Sequence, residues 1–508
     1  MRVKSKKTAV IISYFTTIIN YCALFFVTPI TIKMLGQQEF GLYSLVNSVI
    51  GYLALLSLGL GSAYVRFYFR IKSEKYNLKV ENLNGMYFFC YLIIAFAVII
   101  MGTIFIVFSK QIFGSKLTEQ EHLLAKILLG ILTSNLAIRF IMSIFLSYLR
   151  AQEHFVAIEI ANLIKVLLSP LIIIPLLLFG YGSIGLVLAT TAISTIIEIG
   201  IMIYAIKICH IRFNFKIFDK KLLKEILAYS IFIAGFQILD QFNNGVDNMI
   251  LGRHWGTSTI SIYAVGAAVS TVIISLPGGI NNVIVPEINK IVVSEEQKEK
   301  KTLDMQIKYG RIIFILIAFV LLGFVILGFP FLEMWAGEGF GESYLIVVIL
   351  VTPKLFGYSL SVCSEYIKAK NMHKERLISY AIAVGLNIIL TIPLSMKYGP
   401  LGAAIGTGFT YSLYIIFMNF YYIRVSKINL ITFWKQIIKI VFIYSLITIP
   451  FIILGQYINL YNKLLFALVG VSFVCIFALV SYLFVFNFDE KNIIKNLFKL
   501  NKKNYETK

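Results

Sequence analysis

Residues 222–251 form a long apolar stretch that carries an unusual density of polar side chains. Gln237, Asp240, Asn244 and Asp247 are spaced i, i+3, i+7, i+10. That spacing lines them along one face of an α-helix, and Gln241, Asn243 and Asn248 widen the stripe. Carboxylates on such a stripe could carry a proton or hold a sodium ion. Asp240, nearer the middle of the stretch, is the stronger candidate. The other reading is structural: hydrogen bonds that pin this helix to its neighbours.

Three cations are equally out of place. Arg139, Lys165 and Lys354 lie inside apolar stretches. A buried dianion needs such partners, because an unpaired charge taken out of water is costly. Guanidinium and ammonium groups bind phosphate oxygens through charge-assisted hydrogen bonds. The three are therefore candidate contacts for a pyrophosphate. Their alternative role is in structural salt bridges with Glu159, Glu198 or Glu365, and Lys165 could instead snorkel to the interface. Glu198 is also a candidate cavity or coupling carboxylate. Asn20 and Asn47 sit on weaker polar stripes with Ser13, Thr17, Ser44 and Ser48. Small polar residues usually mark close helix packing, and cavity lining is the second reading for these two.

The elements that position these groups are membrane helices. The chain has 508 residues, 59% of them hydrophobic and 14% charged, about half the charged share of a soluble domain. Its apolar stretches are about 20 residues long, enough to cross a bilayer. In lipid the backbone must bond within each segment, so the spans are helical. A membrane barrel would show alternating strands of about ten residues, and the sequence has no such pattern. The spans fall at roughly 8–33, 40–65, 83–108, 123–149, 157–179, 183–207, 222–251, 258–289, 308–334, 343–366, 375–396, 400–424, 436–456 and 462–486. The basic amino-terminus resembles a signal peptide, but the apolar run after it is too long and lacks a small-x-small site. It reads as the first span, retained.

The 46 basic residues sort by loop. With a cytoplasmic amino-terminus, only Lys33, Lys110, Lys116, Lys126, Arg253, Lys397 and Lys463 fall outside, and Arg139, Lys165 and Lys354 lie within spans. The rest are cytoplasmic, as the positive-inside rule requires. This bias places both termini in the cytoplasm. It also accounts for the net charge of +21 without nucleic acid, since no single basic domain exists. Cys22, Cys90, Cys209, Cys363 and Cys475 make no CxxC pair, so neither a disulfide framework nor a metal site is expected. The five histidines lie near span ends, which argues against a midplane histidine relay. There is no Walker A loop.

The chain repeats itself at an offset of about 217 residues. Leu149-Arg150-Ala151-Gln152 recurs as Ile367-Lys368-Ala369-Lys370, and Pro175 as Pro393. Tyr181-Gly182-Ser183-Ile184-Gly185 recurs as Tyr398-Gly399-Pro400-Leu401-Gly402. Leu35-Gly36 pairs with Leu251-Gly252, and Tyr43 with Tyr263 after a short insertion. The repeat unit is six helices, so both copies share one orientation, an architecture used by transporters around a midplane site. The fold class expected is all-α: two parallel-repeat six-helix bundles, residues 1–215 and 216–428, then a helix pair and basic cytoplasmic tail over 429–508. Arg139 and Lys354 fall one turn apart in the repeat register, so they could face each other across a central cavity.

Leu35-Gly36-Gln37-Gln38-Glu39-Phe40-Gly41-Leu42-Tyr43, continued by Leu58-Gly59-Leu60-Gly61-Ser62-Ala63, resembles the amino-terminal signature of Wzx-type polysaccharide flippases. Leu149-Arg150-Ala151-Gln152-Glu153 and Val246-Asp247-Asn248-Met249-Ile250-Leu251-Gly252 with Ile262-Tyr263 resemble later parts of the same pattern. The resemblance covers about residues 5–425 and runs in the correct order. These flippases belong to the multidrug/oligosaccharidyl-lipid/polysaccharide exporter superfamily.

The resemblance implies a cationic central cavity, alternating access and an undecaprenyl-pyrophosphate-linked oligosaccharide as cargo. It implies an inner-membrane location, no cofactor beyond a coupling proton or sodium ion, and the polysaccharide polymerase and other assembly proteins as candidate partners. Asp247 is the one charged residue that the motif carries over. The competing readings are an ion-coupled multidrug antiporter, a peptidoglycan-precursor flippase, and a membrane-embedded glycan polymerase or ligase. An antiporter for cationic drugs would need an acidic cavity, and an enzyme a sizeable outer loop.

Overall fold

A computed structural model describes residues 2–57, 59–73, 78–216, 218–293, 297–370, 372–488 and 490–492. Among them there are helices and no strand. In order these are α1 (Arg2–Ala54), α2 (Leu60–Lys72), α3 (Val80–Val107), α4 (Ser109–Phe113), α5 (Glu119–Ala151), α6 (Phe155–Leu178), α7 (Gly182–Lys207), α8 (Lys220–Trp255), α9 (Thr257–Ser275), α10 (Gly278–Val293), α11 (Lys298–Ala336), α12 (Ser343–Tyr358), α13 (Ser361–Ala369), α14 (His373–Arg424), α15 (Ile431–Tyr457) and α16 (Lys463–Val480).

Twelve helices among the described residues are long and apolar enough to cross a membrane. Their outward faces suit hydrocarbon: Ile438, Phe442, Leu446, Ile449 and Ile453 form an exposed apolar stripe on α15. Two helices are far too long for one crossing. The 53 residues of α1 and the 52 of α14 would each rise about 80 Å, against a hydrocarbon core of about 30 Å. Each is interrupted by a glycine in a conformation closed to other residues, Gly36 (φ 73°, ψ 168°) and Gly399 (φ 59°, ψ −135°). Without a Cβ, these residues turn the chain where a side chain would clash. The expected count of about fourteen spans takes each of these helices as two crossings.

Three spans expected to be continuous contain breaks. The stretch 258–289 divides into α9 and α10 around Pro277, where the ring removes a helical N–H and disfavours helix in the preceding residue. The stretch 40–65 breaks after α1 at Gly59 (φ 69°). The stretch 343–366 breaks at Ser359–Leu360, between α12 and α13.

Turn geometry repeats along with the sequence. After α5, Gln152 N donates to Tyr148 O and His154 N to Leu149 O; after α13, Lys370 N donates to Tyr366 O and Met372 N to Ile367 O. After α7, Cys209 N and Ile211 N bond to Tyr204 O and Ala205 O around His210; after α14, Ser426 N and Ile428 N bond to Tyr421 O and Tyr422 O around Lys427. His210 and Lys427 share positive φ, 49° and 56°. The backbone corrects one sequence pairing. The partner of Gly36 is Gly256 (φ 88°, ψ −178°), in register with Tyr43 and Tyr263. Gly252 lies inside a regular helix.

The described residues pack into two compact units. The first takes residues up to Val265 together with Tyr380–Thr407, and the second takes Gly266–Ser379 and those from Gly408 on. The first unit has an aromatic core of Tyr64, Phe67, Tyr87, Tyr91, Phe140 and Phe145. Its polar atoms reach loop backbone, with Tyr64 Oη donating to Asn84 Oδ1 (2.5 Å) and Asn84 Nδ2 to Arg212 O (2.8 Å). A Cβ on Gly41 would lie 1.8 Å from the carbonyl oxygen of Thr257, a backbone atom that cannot step aside. Gly41→Ala is expected to cost about 1–3 kcal/mol or more. The check is the yield of monodisperse protein in detergent, and wild-type yield would contradict the close approach. In the second unit, α11 packs with α12, α13, α15 and α16.

Candidate functional site

α8 starts on a strong cap, the Asp219 carboxylate accepting from Lys221 N (2.8 Å) and Leu222 N (3.1 Å). Its polar residues do not share one environment. Gln241 Nε2 donates to Ser48 O (3.2 Å) and Asn248 Nδ2 to Ser48 Oγ (2.8 Å), tying α8 to α1. Gln237 and Asp240 are exposed, and Asp240 Oδ1 accepts from the Tyr380 hydroxyl at 2.7 Å. The Asn244 side chain lies outside the described residues.

Asp247 is 2% exposed and sits in a buried polar network across α8, α9 and α14. The Tyr263 hydroxyl donates to Asp247 Oδ2, and Thr407 Oγ1 lies 3.1 Å from the same oxygen. Thr407 Oγ1 is also 3.2 Å from Asn387 Oδ1, which accepts from Thr391 Oγ1 at 2.7 Å. Asn387 Nδ2 donates to Asn243 Oδ1 at 3.0 Å.

Thr407 stands at the junction, its hydroxyl within reach of Asp247, Asn387 and Tyr263, and a hydroxyl donates only once. The network is joined at this one hydroxyl. It also gathers carboxylate, hydroxyl and amide oxygens, the donor set that hard cations prefer. Among the described residues no group of His, Cys, Asp and Glu is arranged to hold a metal ion.

Sequence reasoning missed Asn387, Thr391 and Tyr380 as site residues and used Tyr263 only as a pattern match. The available signal was Asn387 and Thr391, four apart in an otherwise apolar span.

A second cluster joins α5, α6 and α7. α5 is fixed at its start by a reciprocal cap, with Glu121 N donating to Thr118 Oγ1 (3.2 Å) and Thr118 N to Glu121 Oε2 (2.7 Å). Five turns further on, Arg139 Nε lies 3.2 Å from Glu198 Oε1 of α7. Lys165 of α6 is within electrostatic reach of both. Two cations and one carboxylate leave the trio with a net charge of +1 when all are ionised.

Lys354 is half-buried on α12 in the second unit. Glu365 pairs locally with Lys368. Asn20 is exposed on α1, and Asn47 donates to Tyr43 O of its own helix (2.9 Å). A groove of about 770 Å³ lies further along α6 and α7, lined by Ile164, Ile197 and Gly200 with Gln152, His154 and Tyr204 at its polar end.

These features fit known proteins. A family described as "Polysaccharide biosynthesis protein" matches residues 6–292. A Shigella flexneri protein described as "Putative O-antigen transporter" is 20% identical over 402 residues, spanning 78% of this chain and 92% of that one. The lipid II flippase MurJ in an inward closed conformation superposes with a TM-score of 0.69 at 18% identity, covering 93% of this chain and 98% of its own. An inward-facing multidrug resistance MATE transporter of the MOP superfamily superposes with a TM-score of 0.63 at 15% identity, covering 80% of this chain and 95% of its own. The two superpositions establish the flippase and exporter fold. The match across more than half of the residues establishes kinship: this chain belongs to the polysaccharide biosynthesis protein family.

Proposed function

We propose that the chain is a flippase that carries undecaprenyl-pyrophosphate-linked oligosaccharides from the cytoplasmic to the outer leaflet of the bacterial inner membrane by alternating access. The family and fold make it a multi-pass membrane transporter of polysaccharide biosynthesis rather than an enzyme. The finer reading rests above all on Arg139 and Lys165, gathered on adjacent helices within apolar sequence. Cations there are costly unless they have work to do.

A glycan and pyrophosphate cannot cross hydrocarbon unaided, because desolvating them is prohibitive. In this reading Arg139, Lys165 and Lys354 bind the pyrophosphate and the prenyl tail stays in lipid. In this reading two crossings for each glycine-broken helix make about fourteen, so both termini lie on one side of the membrane, and the lysine and arginine bias of the loops makes that side the cytoplasm. The O-antigen description of the Shigella relative supports a surface polysaccharide as the end product, with the polymerase and other assembly proteins as partners. The Asp247 network is proposed as the coupling site, for a proton or a sodium ion.

Deleting the gene in a strain without a substitute flippase is expected to leave lipid-linked repeat units in the inner leaflet. Leaflet-selective labelling of those units measures this, and normal surface polysaccharide in that strain would refute the assignment.

A further inference from the structure

We infer that Glu198 is a built-in competitor for the substrate's anionic group, a carboxylate that occupies Arg139 when the site is empty and yields it when a pyrophosphate arrives. The inference rests on the proposal that Arg139 contacts pyrophosphate.

The geometry is that of a latch. One carboxylate oxygen of Glu198 lies 3.2 Å from Arg139 Nε. The other, Oε2, is buried and has no hydrogen-bond partner among the described residues. A carboxylate can accept at about four lone-pair positions, so this pair is under-satisfied and carries the penalty of a desolvated, unmet acceptor. Arg139 keeps a half-exposed side chain while Glu198 is largely covered, 51% against 19%. The cation can therefore be reached by a second anion before its partner lets go. A spare buried donor, Asn135 Nδ2, also lacks a partner among the described residues. It sits one turn from Arg139 on the same face of α5, where a displaced carboxylate could use it.

Charge bookkeeping points the same way. A pyrophosphate esterified at both ends carries two negative charges, and Arg139 with Lys165 carries two positive. Glu198 leaves only +1 in the trio while it holds Arg139, so it weakens binding and favours release. Removing its charge should tighten binding and slow turnover, which separates it from a simple structural support.

The test uses full-length protein in proteoliposomes and a fluorescent farnesyl-pyrophosphoryl-N-acetylglucosamine, with initial flipping rates measured against probe concentration. Glu198→Gln is expected to lower KM about 3- to 10-fold and to lower kcat. Arg139→Ala raises KM, and in its background Glu198→Gln no longer changes KM, because the two residues act as a pair. Glu198→Asp, one methylene shorter, shifts KM in the same direction by less, and stands in if the glutamine variant is not recovered folded. An unchanged or raised KM in both Glu198 variants, with Arg139→Ala raising it, overturns the latch and leaves the cation site intact. An unmoved KM in Arg139→Ala overturns the pyrophosphate reading and the latch with it.

Discussion

Arg311→Ala is expected to cost about 3–5 kcal/mol of stability, because it strips a buried charge of its partner. Arg311 lies in α11 at 5% exposure and pairs with Glu490 at 8%. Its guanidinium makes a nearly complete set of bonds. Nε and Nη2 donate to the two Glu490 oxygens at 3.0 Å each, Nη1 donates to Gln436 Oε1 of α15 at 3.0 Å, and Nη2 also donates to Val485 O at 2.7 Å. Asn487 N adds a bond to Glu490 Oε2 at 2.7 Å.

This one side chain fastens α11 to α15 and to the segment that follows α16. Both Arg311→Ala and Glu490→Ala should lower the melting temperature of the detergent-solubilised protein by about 10 °C. The double variant Arg311→Met, Glu490→Met should recover much of the loss, since a buried ion pair can often be replaced by apolar side chains without penalty. A melting temperature within a degree or two of wild type in either single alanine variant would refute the clamp.

Arg311 also marks a boundary of what sequence could reveal. Loop by loop, its charge counts as one more cytoplasmic positive. Nothing local distinguishes it from Lys308, because Glu490 lies far along the chain. Long-range pairing of this kind has no periodic signature. The spans themselves were legible because length and hydropathy are local properties. Interior breaks at Gly59, Pro277 and Ser359 were harder to read, since one residue interrupts a helix without interrupting its hydrophobicity.

The site divides along the same line. The stripe on 222–251 follows from spacing alone, and Asp240 and Asp247 stand out as carboxylates in apolar sequence. Spacing cannot say that Asp240 remains exposed against Tyr380 while Asp247 is enclosed by Tyr263 and Thr407. That difference depends on which helices pack beside each turn. Asn387 and Thr391 show the reverse failure. Their four-residue spacing was visible, but neither side chain is ionisable, and uncharged residues in an apolar span usually signal packing. Arg139 and Glu198 were both recognised as intramembrane charges, yet only the packing of α5 on α7 chooses Glu198 from the available carboxylates.

Asp247→Asn is expected to reduce flipping more than tenfold and to abolish its response to an imposed ion gradient, while leaving the protein folded. Asparagine has nearly the same shape, and its amide oxygen can still accept from Tyr263. It cannot ionise, and so cannot exchange a proton or supply a carboxylate to a sodium ion. Asp247→Ala makes a different change: it leaves the Tyr263 hydroxyl buried without this acceptor, a loss of about 1–3 kcal/mol. If Asp247 only pins α8 to α9 and α14, the asparagine variant should transport normally and the alanine variant should be unstable. If Asp247 couples transport to an ion, the asparagine variant should be stable and uncoupled. Flipping in proteoliposomes with a proton or a sodium gradient imposed separately distinguishes these outcomes and identifies the ion. Thr407→Val gives the internal check, because it severs Asp247 from Asn387 without touching the carboxylate. A network that moves a proton through Thr407 should lose its proton response in that variant, whereas a carboxylate that merely anchors a helix should keep it.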